Sequence, residues 1–292
     1  MTLGAPFSPI LANLGENTAA LQRESEKRLG HLYELAYAVA AEVDAAGDAA
    51  SPFSFFPAAS SFLASIADGI IRSAEDLVPL ARFLCRAAEE RLGRPLTLLD
   101  FSDGAVPPPE RSRTVYVDSP PAEAAYRRFA PYLPAPSAVY GASFRELFDD
   151  VENGYAEYAI LPLLADGVGV GSVARMIEEY GHSIVALTAI PSGDGEAVFA
   201  LLSHRAVCIA PPTVAAFAAS LDEMEEADLF AALPRLGLAA SSISPLPPPP
   251  GRTRTLYGVT VSGEESAFVG LLSYLSLFLP GSLGRGFYFE ID

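Results

Sequence analysis

Leu21, Leu29, Leu32, Ala36, Val39 and Val43 keep a three-and-four spacing, which makes one apolar stripe and predicts a helix. A Pro/Phe-rich run, "SPFSFFPAASS", reads as a break, and the helix after it carries Phe62, Ile66 and Ile70. A third helix is expected from Ser73, with Asp76 as its capping-box partner. It presents Leu77, Leu80, Leu84 and Ala88 and stops at Gly93-Arg94-Pro95. Residues 17 to 93 therefore read as a helical bundle, "LTLLDF" as a short strand and "SDGAVPPPERSR" as a linker.

From Thr114 the periodicity changes. "TVYV", "SAVYG", "YAILPL" and "SIVALTAI" read as strands, separated by the helical runs "PAEAAYRRFAPYL", "SFRELFDDVENG" and "GSVARMIEEYG". Ser143 and Glu146 stand in capping-box register, and Gly181 closes the last of these helices. Such alternation predicts a mostly parallel sheet with helices on its faces. From Pro211 the order becomes strand, helix, strand, strand, helix, strand, the split-βαβ, ferredoxin-like plan, with four prolines stiffening the connection between its halves.

Composition narrows the choice of partners. With 50% apolar and 19% charged residues the chain is core-forming, and its formal net charge of −17 repels polyanions, so nucleic acid is not an expected partner. No signal peptide and no membrane-spanning run is visible, and a cytoplasmic protein is expected. Cys85 and Cys208 fit no metal or redox spacing and read as buried free thiols. Three histidines leave little material for a metal site.

Individual motifs carry little chemistry. Ser203 and His204 are neighbours on a strand and point to opposite faces, so they do not pair as nucleophile and base. His182 follows Gly181 and favours a helix C-terminus. "GVGVGS" has neither the P-loop lysine nor the dinucleotide-binding spacing, though it leaves a helix N-terminus that suits a small anion. "DEMEEAD" reads as a solvated acidic loop.

The order of elements from residue 113 onward resembles prephenate dehydratase, in which a two-lobed α/β catalytic domain of periplasmic-binding type precedes a regulatory ACT domain. "VYVDSPPAEAAYRRF", "SFRELFDDVENGYAEYAILPLLADGVGVGSV" and "HSIVALTAI" carry the resemblance. The departures fall on the functional positions. The family's opening Gly-Pro-x-Gly-Thr/Ser corner is Asp118-Ser119-Pro120-Pro121 here, and two prolines remove N–H donors an anion would need. Its Pro-Ile-Glu-Asn-Ser/Thr loop is Pro162-Leu163-Leu164-Ala165-Asp166. Its Thr-Arg-Phe motif falls near Val198, Phe199 and Ala200. Where the family inserts a second lobe, this chain has the hairpin-sized turn Pro191 to Glu196. Of the ACT motifs, the Gly-Ala-Leu turn is Glu226-Ala227-Asp228-Leu229, and the Glu-Ser-Arg-Pro run keeps only Pro245. The N-terminal helices are similar in texture to the helical chorismate mutase fused to some dehydratases, yet Leu29 to Ile71 contains no Lys or Arg to hold a dicarboxylate.

The resemblance implies a multidomain α+β and α/β protein: an N-terminal helical bundle with linker (1–107), a parallel α/β lobe lacking its second half (108–210), and a ferredoxin-like, ACT-like domain (211–292). It implies a non-catalytic relative linked to phenylalanine biosynthesis, with no catalytic residue, metal or cofactor. Such a chain acts as a homodimer or by holding an aromatic-pathway enzyme, and the Phe-rich stretch 53–62 and the apolar C-terminal helix are the expected contact surfaces. The alternative is a small-molecule sensor or divergent dehydratase that uses the helix start at 166–172, through Asp166, Gly169, Gly171 and Ser172.

Overall fold

In the computed structural model, which describes residues 8–46, 52–66, 73–101, 110–165, 168–192, 195–205, 207–246, 255–279 and 283–291, the N-terminal stripe forms α1 (Ser8–Ala45). Its buried part begins at Leu32 and runs through Ala36, Val39 and Val43, whereas Leu21 and Leu29 are exposed. The expected break is itself helical, forming α2 (Pro52–Ile66). Pro52 sits where a helix has no intrahelical use for an N–H. Pro57 interrupts the ladder only one turn further on, and burial of Phe55, Phe56, Ala59 and Leu63 outweighs that loss. The Phe-rich stretch is consequently core at Phe55 and Phe56 rather than an exposed contact surface. Ile70 lies outside the described residues.

Ser73 is the N-cap of α3 (Ala74–Leu92), but not through a capping box. Its hydroxyl donates to the Asp76 carboxylate, which is buried and ion-paired with Arg28 of α1. The acid that would have reached back to the cap instead ties two helices together. α1 packs on both α2 and α3, and the chain divides into two units, residues 1–95 and 96–292.

Residues Leu98–Phe101 form a 3₁₀ turn rather than a strand. The Asp100 carboxylate accepts from both the backbone N–H (2.8 Å) and the hydroxyl (3.0 Å) of Thr97, a local ring that competes successfully with extended pairing. Then follow β1 (Ser112–Val117), α4 (Pro120–Phe129), β2 (Pro136–Gly141), α5 (Phe144–Glu152), β3 (Tyr158–Ala165), the short β4 (Val168–Gly169), α6 (Gly171–Tyr180), β5 (Ser183–Ser192) and β6 (Gly195–Ser203). β7 (Val214–Leu221), α7 (Glu223–Leu236), β8 (Ala239–Leu246), β9 (Thr255–Ser262), α8 (Glu265–Phe278) and β10 (Leu283–Ile291) complete the chain.

All ten strands belong to one mixed sheet of order β2-β1-β3-β6-β5-β10-β7-β9-β8, with β4 paired to β3. β1, β2 and β3 run parallel, but β6 lies antiparallel between β3 and β5, so parallel pairing is interrupted once within this part of the sheet. The β3 run shows no alternation because both of its faces are covered. Tyr158 and Ile160 pack under α4, and Ala159 and Leu161 pack under α5 and α6. β10 serves two neighbours: Leu283 to Tyr288 pair antiparallel with β7, and Phe289 to Ile291 pair parallel with β5. β7, β9 and β8 continue as antiparallel neighbours, with the strand order of a βαββαβ unit. α8 is largely buried through Phe268, Leu271, Tyr274 and Leu277, so it too is core and not a free apolar surface.

The acidic run at 222–228 is a helix start rather than a loop. Asp222 caps α7 by accepting from the N–H groups of Met224 (3.0 Å) and Glu225 (2.9 Å), and the Glu225 carboxylate accepts from the Asp222 N–H (3.0 Å). Carboxylates in the first turn also face the positive end of the helix dipole. Asp222→Ala is expected to cost about 1 kcal/mol of stability, measured by urea unfolding, with little change in the slope of the transition. Cys85 and Cys208 form no disulfide, and each is half-buried rather than fully enclosed; burial pushes the Cys208 thiol pKa up.

Candidate functional site

β1, β3 and β5 point the same way, so their carboxyl ends define the edge of the sheet where α/β proteins bind ligands. At that edge, Ser119 caps α4, its hydroxyl accepting from the Ala122 N–H, and Pro120 and Pro121 occupy the first helical positions. The prolines thus act as helix starters, and the one hydroxyl of the corner already has a partner. β3 ends in Pro162, Leu163, Leu164 and Ala165 and folds back onto β4, with Leu164 opposite Gly169. The Val170 N–H is donated to the Leu163 carbonyl at 2.9 Å, which closes the turn into α6.

Of the residues expected to contact a ligand, Gly169, Gly171 and Ser172 fall in this turn and at the first turn of α6, all exposed, while Asp166 lies outside the described residues. Val170 occupies the N-cap without a side-chain hydrogen bond. On β6, Val198 is half-buried and Phe199 is buried in the core beneath α4. None of these apolar side chains can transfer a proton or donate to a carboxylate.

A cavity of about 480 Å³ lies beside this edge, lined among others by Arg128, Thr188, Pro191, Glu196, Glu290 and Ile291. Arg128, from the last turn of α4, donates to the Thr188 hydroxyl (3.3 Å) and to the Ala189 carbonyl (3.0 Å). The Thr188 hydroxyl in turn donates to the Ile291 carbonyl (3.0 Å), so the cavity sits over the seam between β5 and β10. Neither Gly169, Gly171 nor Ser172 lines it.

The opposite edge holds a cluster that residue-by-residue reading misses. His182 precedes β5, His204 follows β6, and Glu152 is the last residue of α5. The hairpin register pairs Ser183 with Ser203, which brings the two histidines face to face across its open end. Glu152 Oε2 lies 3.3 Å from His182 Nε2 and 2.9 Å from His204 Nδ1. His182 is buried, its ring stacked on Phe148 at a centroid distance of 5.3 Å and 18° between planes. Burial holds its imidazole pKa below the ordinary value, with the Glu152 carboxylate pulling the other way. Glu152 and His204 remain half-exposed, so the cluster opens to solvent on one side. Hairpin arithmetic was only part of the signal: strands joined through residues 193 and 194 pair 182 with 205, and the register shift between Ile184 and Ala186 moves 182 opposite 204.

No protein-family model and no curated protein matches the sequence. Among solved structures, a prephenate dehydratase from Streptococcus mutans is similar over 62% of this chain and 100% of its own, with a TM-score of 0.48 and 13% identity. A prephenate dehydratase from Arthrobacter aurescens in complex with L-Phe is similar over 61% of this chain and 90% of its own, with a TM-score of 0.43 and 11% identity. GqqA, described as a novel type of quorum quenching acylase, is similar over 60% of this chain and 94% of its own, with a TM-score of 0.44 and 18% identity.

Proposed function

We propose that this chain is a non-catalytic relative of prephenate dehydratase that works by association rather than by turnover. The observation that carries the reading is the β5–β6 hairpin. Its pairing runs from Ser183↔Ser203 to Ser192↔Gly195 with one register shift, between Ile184 and Ala186, so only residues 193 and 194 separate the strands where the dehydratase pattern would open into a second lobe. A cleft needs two walls, and a connection of two residues is too short to build the second.

The chemistry supports the same reading. Eliminating water and carbon dioxide from prephenate calls for an acid near the leaving hydroxyl and for donors to two carboxylates. The edge that would supply them presents Leu163, Leu164, Ala165 and Val198, with the Ser119 hydroxyl engaged as a cap. In this reading residues 211–292 are an ACT-like association module within a cytoplasmic homodimer or a complex with an aromatic-pathway enzyme. The βαββαβ order and the free edge strand β8, which exposes Ile243, support it.

The test is turnover. Concentrated protein with prephenate should form phenylpyruvate no faster than a protein-free control. Product above the spontaneous rate, retained through purification to homogeneity, would overturn the reading.

One observation favours a second reading, a small-molecule sensor. The cavity is lined by Arg128 together with Glu196 and Glu290, a mixed-charge lining suited to a zwitterion such as an amino acid. A ligand-induced rise in thermal stability that Arg128→Ala abolishes would favour this reading over pure association.

A further inference from the structure

The Glu152, His182 and His204 cluster lies at the amino ends of β1, β3 and β5, away from the edge on which the proposed function rests. We propose that these three side chains form a binding site for one divalent transition-metal ion, zinc foremost.

Three separate elements deliver the donors: the end of α5, the residue after the left-handed Gly181 that closes α6, and the residue after β6. One ligand atom from each lies within 4.8 Å of the other two. Zinc–donor distances of about 2.0–2.2 Å place tetrahedral donors about 3.3 Å from one another. The separations of 3.3 Å and 2.9 Å to the Glu152 oxygen already match that edge length. The two imidazole planes stand at 90° with centroids 5.7 Å apart, so the rings do not stack on each other, and one nitrogen of each lies beside the same Glu152 oxygen. Only the half-exposed Glu152 and His204 have to adjust, because packing against Phe148 fixes the buried His182 ring.

Donor type decides the class of ion. Two imidazoles and one carboxylate suit zinc and its first-row neighbours, whereas magnesium and calcium call for oxygen donors alone. Two histidines and a glutamate also leave a fourth, solvent-facing position for water. The net charge of −17 raises the local concentration of cations of any kind. His182 Nδ1 is buried and finds no acceptor, so no hydrogen bond behind the ring strengthens it as a ligand. Micromolar rather than nanomolar affinity is expected for that reason.

The full chain, stripped with a chelator, should be titrated with zinc against a chromophoric competitor and separately loaded with cobalt(II). One equivalent of zinc bound per chain is expected, and the cobalt form should show the visible absorption bands of four-coordinate geometry. His204→Ala and Glu152→Gln alter half-exposed residues, and each should weaken zinc binding by more than about tenfold while leaving the far-ultraviolet circular dichroism unchanged. The absence of stoichiometric binding, or affinity equal to wild type in both variants, would overturn the proposal. The second result would also show that the ion sits elsewhere on the chain. Neither outcome depends on whether the protein turns over prephenate.

Discussion

Phe148→Ala is expected to destabilise the second unit by about 3–5 kcal/mol, the range for emptying a fully buried aromatic site, and to lower its melting temperature by roughly 10 °C. Phe148 is completely buried on the inner face of α5, between Leu147 and Val151 in sequence and among Val115, Ala159, Leu161, Ala200 and Leu202 in the core cluster beneath that helix. Its ring also meets Tyr180 (5.1 Å) and His182 (5.3 Å), so the substitution removes both the packing of the helix and the support of the buried imidazole. Phe148→Leu refills most of the volume and should recover more than half of the loss. Calorimetry on the pair separates the two contributions. If alanine cost no more than leucine, the helix would have collapsed into the space, and Phe148 would not be the anchor described.

Phe289→Ala is expected to have a comparable local effect, about 3 kcal/mol, and a different consequence. Phe289 is buried beside Tyr132, with ring centroids 4.9 Å apart, and it pairs with Ala186 at the seam between β5 and β10. In the sheet order β10 is the strand that joins the β2-to-β5 part to the β7, β9 and β8 part. Weakening that seam should split a single unfolding transition into two. Hydrogen-exchange mass spectrometry should then show protection lost over residues 183–203 before residues 255–278. Synchronous loss over both stretches would mean that other contacts hold the two parts together.

Elements were legible where the cause was local. The three-and-four stripe from Leu32 to Val43, the capping residue Ser143, the left-handed Gly181 and the apolar β3 run all act within a few positions. The β5–β6 hairpin follows from a connection too short for anything else. What escaped the pattern depended on partners elsewhere. Pro57 looks like a breaker until Phe55 and Phe56 are seen to be buried. Asp76 looks like a cap partner until Arg28 appears beside it. "LTLLDF" reads as a short apolar strand, and only the Asp100 bonds to Thr97 reveal a turn. At the sites, Leu163 and Val198 could be read as apolar in advance. The Glu152, His182 and His204 cluster needed a helix end and a hairpin register to be combined, and no single window of sequence contains all three.

The double pairing of β10 also bears on the order in which the chain folds. The hydrogen bond from the Thr188 hydroxyl to the Ile291 carbonyl joins residues 103 positions apart, whereas the β5–β6 hairpin next to it pairs residues as near in sequence as Ser192 and Gly195. Closing the larger loop carries an additional entropic cost that grows with the logarithm of its length, and contacts of that separation slow folding. The hairpin therefore forms early and exposes β5 as a temporary edge until β10 arrives. Phe289→Ala should for that reason quicken unfolding far more than it slows refolding, with most of its effect on the unfolding arm of the chevron. During that interval the open β5 edge is the part of this chain most prone to capture a strand from another copy.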